Sequence, residues 1–164
     1  MSEAEHLADA LDGLFVNPDH GWFTPFVVAV EGLTAAQAAT VPAPGFNSVW
    51  AVVNHVRFWQ EYFLLRLQGQ SPDRQALGAQ NGWPPPQGSG GEQDWQAARA
   101  RALELNRELV RFVAGLSDDE VGAHIAEGRP RRDQVIHGVL AHNSYHTCEI
   151  ISIRHMLGIW LERT

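Results

Sequence analysis

The stretch Val135-Ile136-His137-Gly138-Val139-Leu140-Ala141-His142-Asn143-Ser144-Tyr145-His146-Thr147-Cys148-Glu149-Ile150-Ile151-Ser152-Ile153 carries the periodicity that decides the fold. With residues placed about 100° apart, Val135, Val139, His146, Ile150, Ile153 and Leu157 share one face. That period predicts an amphipathic helix running from about Arg132 to Leu161. His142 lies beside His146 on the same face, one turn away. Two imidazoles at i, i+4 can converge on one ion. Glu149, three residues beyond His146, flanks that face. Three polar side chains thus interrupt an apolar stripe, and each costs roughly 1–3 kcal/mol if buried without a partner. His137 and His155 point to the opposite side, so the helix is not histidine-rich all round.

Outward from this segment, three more helical patterns appear. The first spans roughly Glu3 to Ala38, with a break expected near Asn17-Pro18 because proline removes a donor and restricts the residue before it. Residues 40–45, with Pro42 and Pro44, form a connector. The second starts at Asn47 or Ser48, either a suitable N-cap, and runs to about Gly69. The third, about Gln93 to Leu116, places Trp95, Ala98, Ala102, Leu105, Leu109, Phe112 and Leu116 on one stripe. Ser117 with Glu120 fits a capping box for a short following turn. No alternating strand pattern and no repeat occurs. The expected fold is all-α, a four-helix bundle in one domain. Between the second and third helices, residues 70–91 hold Gly82, Pro84, Pro85, Pro86, Gly88, Gly90 and Gly91. A loop of that length is either a solvated connector or a lid, binding loop or interface element.

The second helix supplies a third inward histidine. Ser48, Ala51, Val52, His55, Phe58, Trp59 and Tyr62 share a face, with Asn54, Arg57 and Glu61 on the other side. If the second and fourth helices face one another, His55 completes a triad with His142 and His146. A single histidine on an apolar face is more often a satisfied core residue; three on two helices make a metal site a serious candidate. Three neutral imidazoles leave coordination positions open on a zinc or nickel ion, as a catalytic metal requires. Phe58, Trp59 and Tyr62 would wall the pocket. Trp22, Phe23, Phe26, Trp83 and Trp160 are read by default as core.

Composition narrows the function classes. The chain has 164 residues, 45% of them hydrophobic, and a net charge of -7. A domain of this size buries roughly 70% of its unfolded surface, so no metal is needed merely to fold. An acidic chain whose densest basic cluster is Arg129, Arg131 and Arg132 is a poor nucleic-acid binder. The single cysteine, Cys148, excludes an internal disulfide and a cysteine-rich zinc site. All twelve basic residues are arginine, which excludes a lysine Schiff base. There is no signal-peptide pattern at the N-terminus and no apolar run of roughly 18 residues. The chain reads as cytoplasmic, without membrane attachment.

Two motifs resemble those of the DinB-like superfamily, which includes the YfiT-like thiol transferases. Ser48-Val49-Trp50-Ala51-Val52-Val53-Asn54-His55-Val56 is similar to that family's hydrophobic-Trp-x4-His segment. Gly138 to Ile150 is similar to its H-x-x-Y-H-x-G-Q-I pattern. The resemblance implies an up-down-down-up bundle, usually a homodimer, with His55, His142 and His146 holding zinc, nickel or another divalent ion. It also implies transfer of a low-molecular-weight thiol, such as bacillithiol or mycothiol, onto an electrophile. Glu149 replaces the family's Gln; it could orient a ligand histidine, act as a base or become a fourth ligand. Cys148 replaces a Gly and is read as a small buried hydrophobe. Tyr145 projects sideways, toward core packing or an interface.

Three functions follow as expectations. In the first, a metal-dependent transferase joins a thiol to an electrophilic small molecule, with Glu149 as base. The second is metal-assisted hydrolysis with the same base. The third is a non-catalytic metal-binding stress-response protein with every coordination position filled by protein.

Overall fold

The computed structural model describes residues 1–20, 23–75, 82–84 and 90–159. Trp22 and Trp160, together with Leu161 at the expected end of the last helix, lie outside them. The described residues form seven α-helices and no strand: α1 (Glu3–Phe15), α2 (Phe26–Ala29), α3 (Ala35–Ala39), α4 (Val49–Leu67), α5 (Glu92–Ala114), α6 (Asp118–Gly122) and α7 (Arg132–Met156). The four long ones, α1, α4, α5 and α7, make the bundle.

Local chemistry sets the ends. Ser48 Oγ accepts from the Ala51 amide and starts α4, and Ser117 and Glu120 close a capping box on α6. Gly158, at φ +68°, stops α7 short of the expected Leu161. The first expected helix departs most from its reading. It ends at Phe15, and the rest is a 3-10 turn at Pro18–His20 followed by α2 and α3. Pro25 as N-cap of α2, Gly32 at φ +70° and the Thr34–Gln37 capping box divide that segment. Arg154, itself buried, clamps it to α7 by donating to the carbonyls of Ala29 and Glu31, both at 2.8 Å.

Side-chain contacts give the helix directions. Trp50 and Trp95 meet near the starts of α4 and α5, with ring centroids 5.5 Å apart, and Gln60 reaches the Ala102 carbonyl further along. These two helices therefore run parallel. Arg132, at the start of α7, donates to Leu67 O at the end of α4, while Asn47 bonds Glu149 at the other end, so α7 runs antiparallel to α4. The Asn106 amide reaches Leu11 O, and the Glu3 amide reaches Asp118 beyond the end of α5, so α1 opposes α5. The order is up-down-down-up.

The apolar core falls into two clusters. One gathers Phe15, Phe26, Trp50, Val53, Trp95, Ala102, Ile150 and Ile153; the other gathers Leu7, Leu11, Leu64, Leu109, Ile136 and Val139. Between them lies a band of buried polar side chains: His55, Gln60, Asn106, Asn143, His146 and Thr147. The expected α5 stripe is buried from Trp95 to Leu109, and Val113 rather than half-buried Phe112 continues it. Among the described residues no helix is long and apolar enough to cross a membrane.

Candidate metal centre

The antiparallel pairing of α4 and α7 puts His55 opposite His142 and His146 in the polar band. One ring nitrogen from each lies within 4.8 Å of the other two. Among the described residues they form the one such group of metal-ligating side chains. His55 Nε2 and His142 Nε2 are 3.1 Å apart. Ligands about 2.0–2.1 Å from one ion sit about 2.9 Å apart at right angles and about 3.4 Å apart at the tetrahedral angle. The observed separation lies between these values.

The outward nitrogens are held by other groups. His55 Nδ1 donates to Gly82 O at 2.6 Å. His146 Nδ1 pairs with Glu149 Oε2 at 2.7 Å, and Asn47 Nδ2 donates to Glu149 Oε1 at 2.8 Å. A carbonyl is only an acceptor, so His55 is the Nδ1–H tautomer and its Nε2 presents a bare lone pair. The same holds for neutral His146 against the carboxylate. His142 Nε2 can then donate to His55 Nε2; to offer Nε2 to a cation as a neutral ligand, His142 would carry its proton on Nδ1 instead.

Burial disfavours the charged form of two of the rings. Burial lowers His55 to about 4; the Gly82 hydrogen bond opposes this shift and the charge of His146 adds to it. Burial also takes His142 to about 4, with His146 and then His55 adding to the shift. A donor set of neutral imidazoles with outward N–H groups tied to a carbonyl and a carboxylate fits a borderline divalent ion.

The three expected ligands are thus brought together. The wall is only partly the expected one. Trp59 stands edge-on to His55 and to His142, each at 6.3 Å. Phe58 and Tyr62 pack against Trp59, one layer further out. Trp83, read by default as core, is partly buried against the first core cluster and also stacks on His55 at 3.9 Å and 21° and stands edge-on to His146 at 6.1 Å. It and Gly82 come from the long α4–α5 connection. The signal in the sequence was a tryptophan inside a Gly/Pro-rich loop. Glu149 does not join the three imidazoles as a ligand; it holds His146 from behind. One reading is corrected and another narrowed. Cys148 is exposed, because it lies roughly 200° around α7 from His146 and so on the outer face. Tyr145 is 69% exposed, also on that side, which removes core packing and leaves the interface alternative. His137 and His155 are exposed, as expected.

Fold and site together define a four-helix bundle with three inward imidazoles in a polar waist. The chain belongs to the DinB superfamily, whose sequence profile matches residues 25–150. In fold it is similar to YfiT from Bacillus subtilis, described as a probable metal-dependent hydrolase with an unusual four-helix bundle topology. The identity is 16% and the TM-score 0.60, over 96% of this chain and 85% of that one. No curated protein matches the chain.

Proposed function

We propose that this protein binds one divalent metal ion, zinc or nickel, through His55, His142 and His146, and joins a low-molecular-weight thiol to an electrophilic small molecule. The observation that carries the metal reading is the convergence of three imidazoles, two of which have their other nitrogen already engaged. When bound, the ion would supply a Lewis-acid centre that stabilises a thiolate near neutral pH, well below the roughly 8.5 of a free thiol. The protein's own part is positional. Gly82 and Glu149 orient two of the rings, and Trp59 and Trp83 give an aromatic wall against which an electrophile can lie.

Glu149 favours thiol transfer over hydrolysis. Its two oxygens are committed to His146 and Asn47, which leaves it poorly placed as a base for water. Thiol addition needs no such base once the thiol is ionised. The second reading is hydrolysis; the description of the similarly folded YfiT supports it. One assay separates the readings. Protein reloaded with zinc or nickel is mixed with a chromogenic electrophile and, separately, with ester and amide substrates, each with and without a panel of low-molecular-weight thiols. Consumption of the electrophile that needs both metal and thiol is expected. Thiol-independent hydrolysis would replace the first reading with the second. Inactivity in every arm, with metal bound, leaves the non-catalytic role.

Glu149 also gives a graded prediction. Loss of an outer partner of a ligand histidine costs about 10–100-fold in metal affinity. Glu149→Ala should show that loss in competition against a chromophoric chelator. Glu149→Gln, which keeps an oxygen acceptor for His146 Nδ1–H, should lose less than Glu149→Ala. Equal affinities for all three proteins would remove Glu149 from the centre.

A further inference from the structure

We infer that the Gly82–Trp83 segment of the α4–α5 connection is a built part of the metal centre: the Gly82 carbonyl sets the tautomer of His55, and the Trp83 indole caps its ring. This deepens the metal-binding reading and rests on it.

Three observations meet at this segment. Gly82 O takes the Nδ1–H of His55 at 2.6 Å, and both residues are buried. Trp83 lies nearly parallel to the imidazole at 3.9 Å. Gly82 itself is held where an added side chain would be both strained and crowded. Its φ is +79°, and a Cβ there would meet the Trp59 indole at 2.6 Å from Nε1. The close approach of the segment to α4 therefore depends on the missing side chain.

The consequence for His55 is chemical. A histidine whose Nδ1–H is fixed to a carbonyl presents Nε2 as the ligand atom, in one ring orientation. Without the carbonyl, the ring is free to adopt the other tautomer and to turn. The affinity of the triad then includes the cost of restoring both. Glu149 does the same for His146 from a helix. The segment does it for His55 from a loop, so metal binding and the seating of this loop on α4 are linked, and each strengthens the other.

The test uses the full chain with zinc and a competing chelator, and three variants. Gly82→Ala should displace the segment and weaken zinc binding by about 10–100-fold. Gly90→Ala is the control: the same connection and a φ of +78°, but no atom of the described residues within 4 Å of its added Cβ. It carries similar backbone strain away from the histidines and should bind zinc like wild type. Trp83→Ala should also weaken zinc binding, and Trp83→Phe should restore most of the loss. The second readout is the tautomer of His55 in metal-free protein, from long-range proton–nitrogen correlation of the ring. Wild type should show the Nδ1–H form and Gly82→Ala should lose it, a change that simple loss of packing would not cause. Zinc affinity and tautomer unchanged in Gly82→Ala would overturn the inference while leaving the metal site standing. No zinc bound by wild type itself would overturn both.

Discussion

Purified His146→Ala protein is expected to hold no stoichiometric divalent ion under conditions in which wild type holds one per chain. His146 supplies one of three nitrogens, and no fourth side chain among the described residues stands by to replace it. Removing an outer partner costs about 10–100-fold in affinity, and removing the ligand itself should cost more. The substitution also leaves the Glu149 carboxylate with Asn47 as its remaining hydrogen-bond partner among the described residues, beside a space the size of an imidazole. Some loss of stability is therefore expected, and circular dichroism must show that the variant is folded. His137→Ala serves as the comparison, since that ring lies exposed on the same helix. Elemental analysis after gel filtration decides the matter. Equal metal content in wild type and His146→Ala would end the case for this centre.

Protonation of His55 and His142 should begin to oppose metal binding only near pH 4, not near pH 6.5. A ligand imidazole must be neutral, so protons compete with the ion below the pKa of the ring. For an ordinary histidine that competition starts near 6.5. Burial takes His55 and His142 down to about 4, so both rings stay available through neutral and mildly acid pH. Below about 4, each pH unit costs about tenfold in affinity for each of these two rings. The same shifts act on the metal-free fold. Between 6.5 and 4 the unfolded chain takes up protons at these rings and the native state does not. Stability is thus fully present above 6.5 and is lost as pH falls toward 4. Melting temperatures of chelator-treated protein across pH 4–7, beside metal content over the same range, check both signs. Ring carbon shifts showing His55 or His142 of the metal-free protein taking up a proton near pH 6 would overturn the prediction.

The two halves of the site were not equally legible in the sequence. His142 and His146 could be found because a helix fixes side-chain direction every 100°. His55 followed from the same arithmetic on α4, given that the two helices face each other. The rule reached less far for Phe58 and Tyr62. α4 is buried against its neighbours on more than one side, as Asn54 and Gln60 show, so sharing a face with His55 did not mean lining the same space. For Cys148 the angular rule was sound, and the size and polarity of the residue misled. Gly82 and Trp83 were beyond its reach. They act from an irregular segment, and their contact with His55 spans 27 residues of chain that no periodicity describes. The division of residues 17–38 into short pieces was likewise a matter of Pro25, Gly32 and Thr34 rather than of any hydrophobic pattern.

Parallel α4 and α5 impose one more thing. A chain leaving the end of α4 must travel back about 28 Å, the length of its 19 residues, before α5 can begin. That return leg passes the waist of the bundle whatever its composition, and at Gly82 it meets His55. The scaffold and the lip of the proposed metal centre are therefore separately adjustable. Replacements along the returning chain could retune what enters and how tightly the cation is gripped, while the packed ends of the bundle go on folding as before.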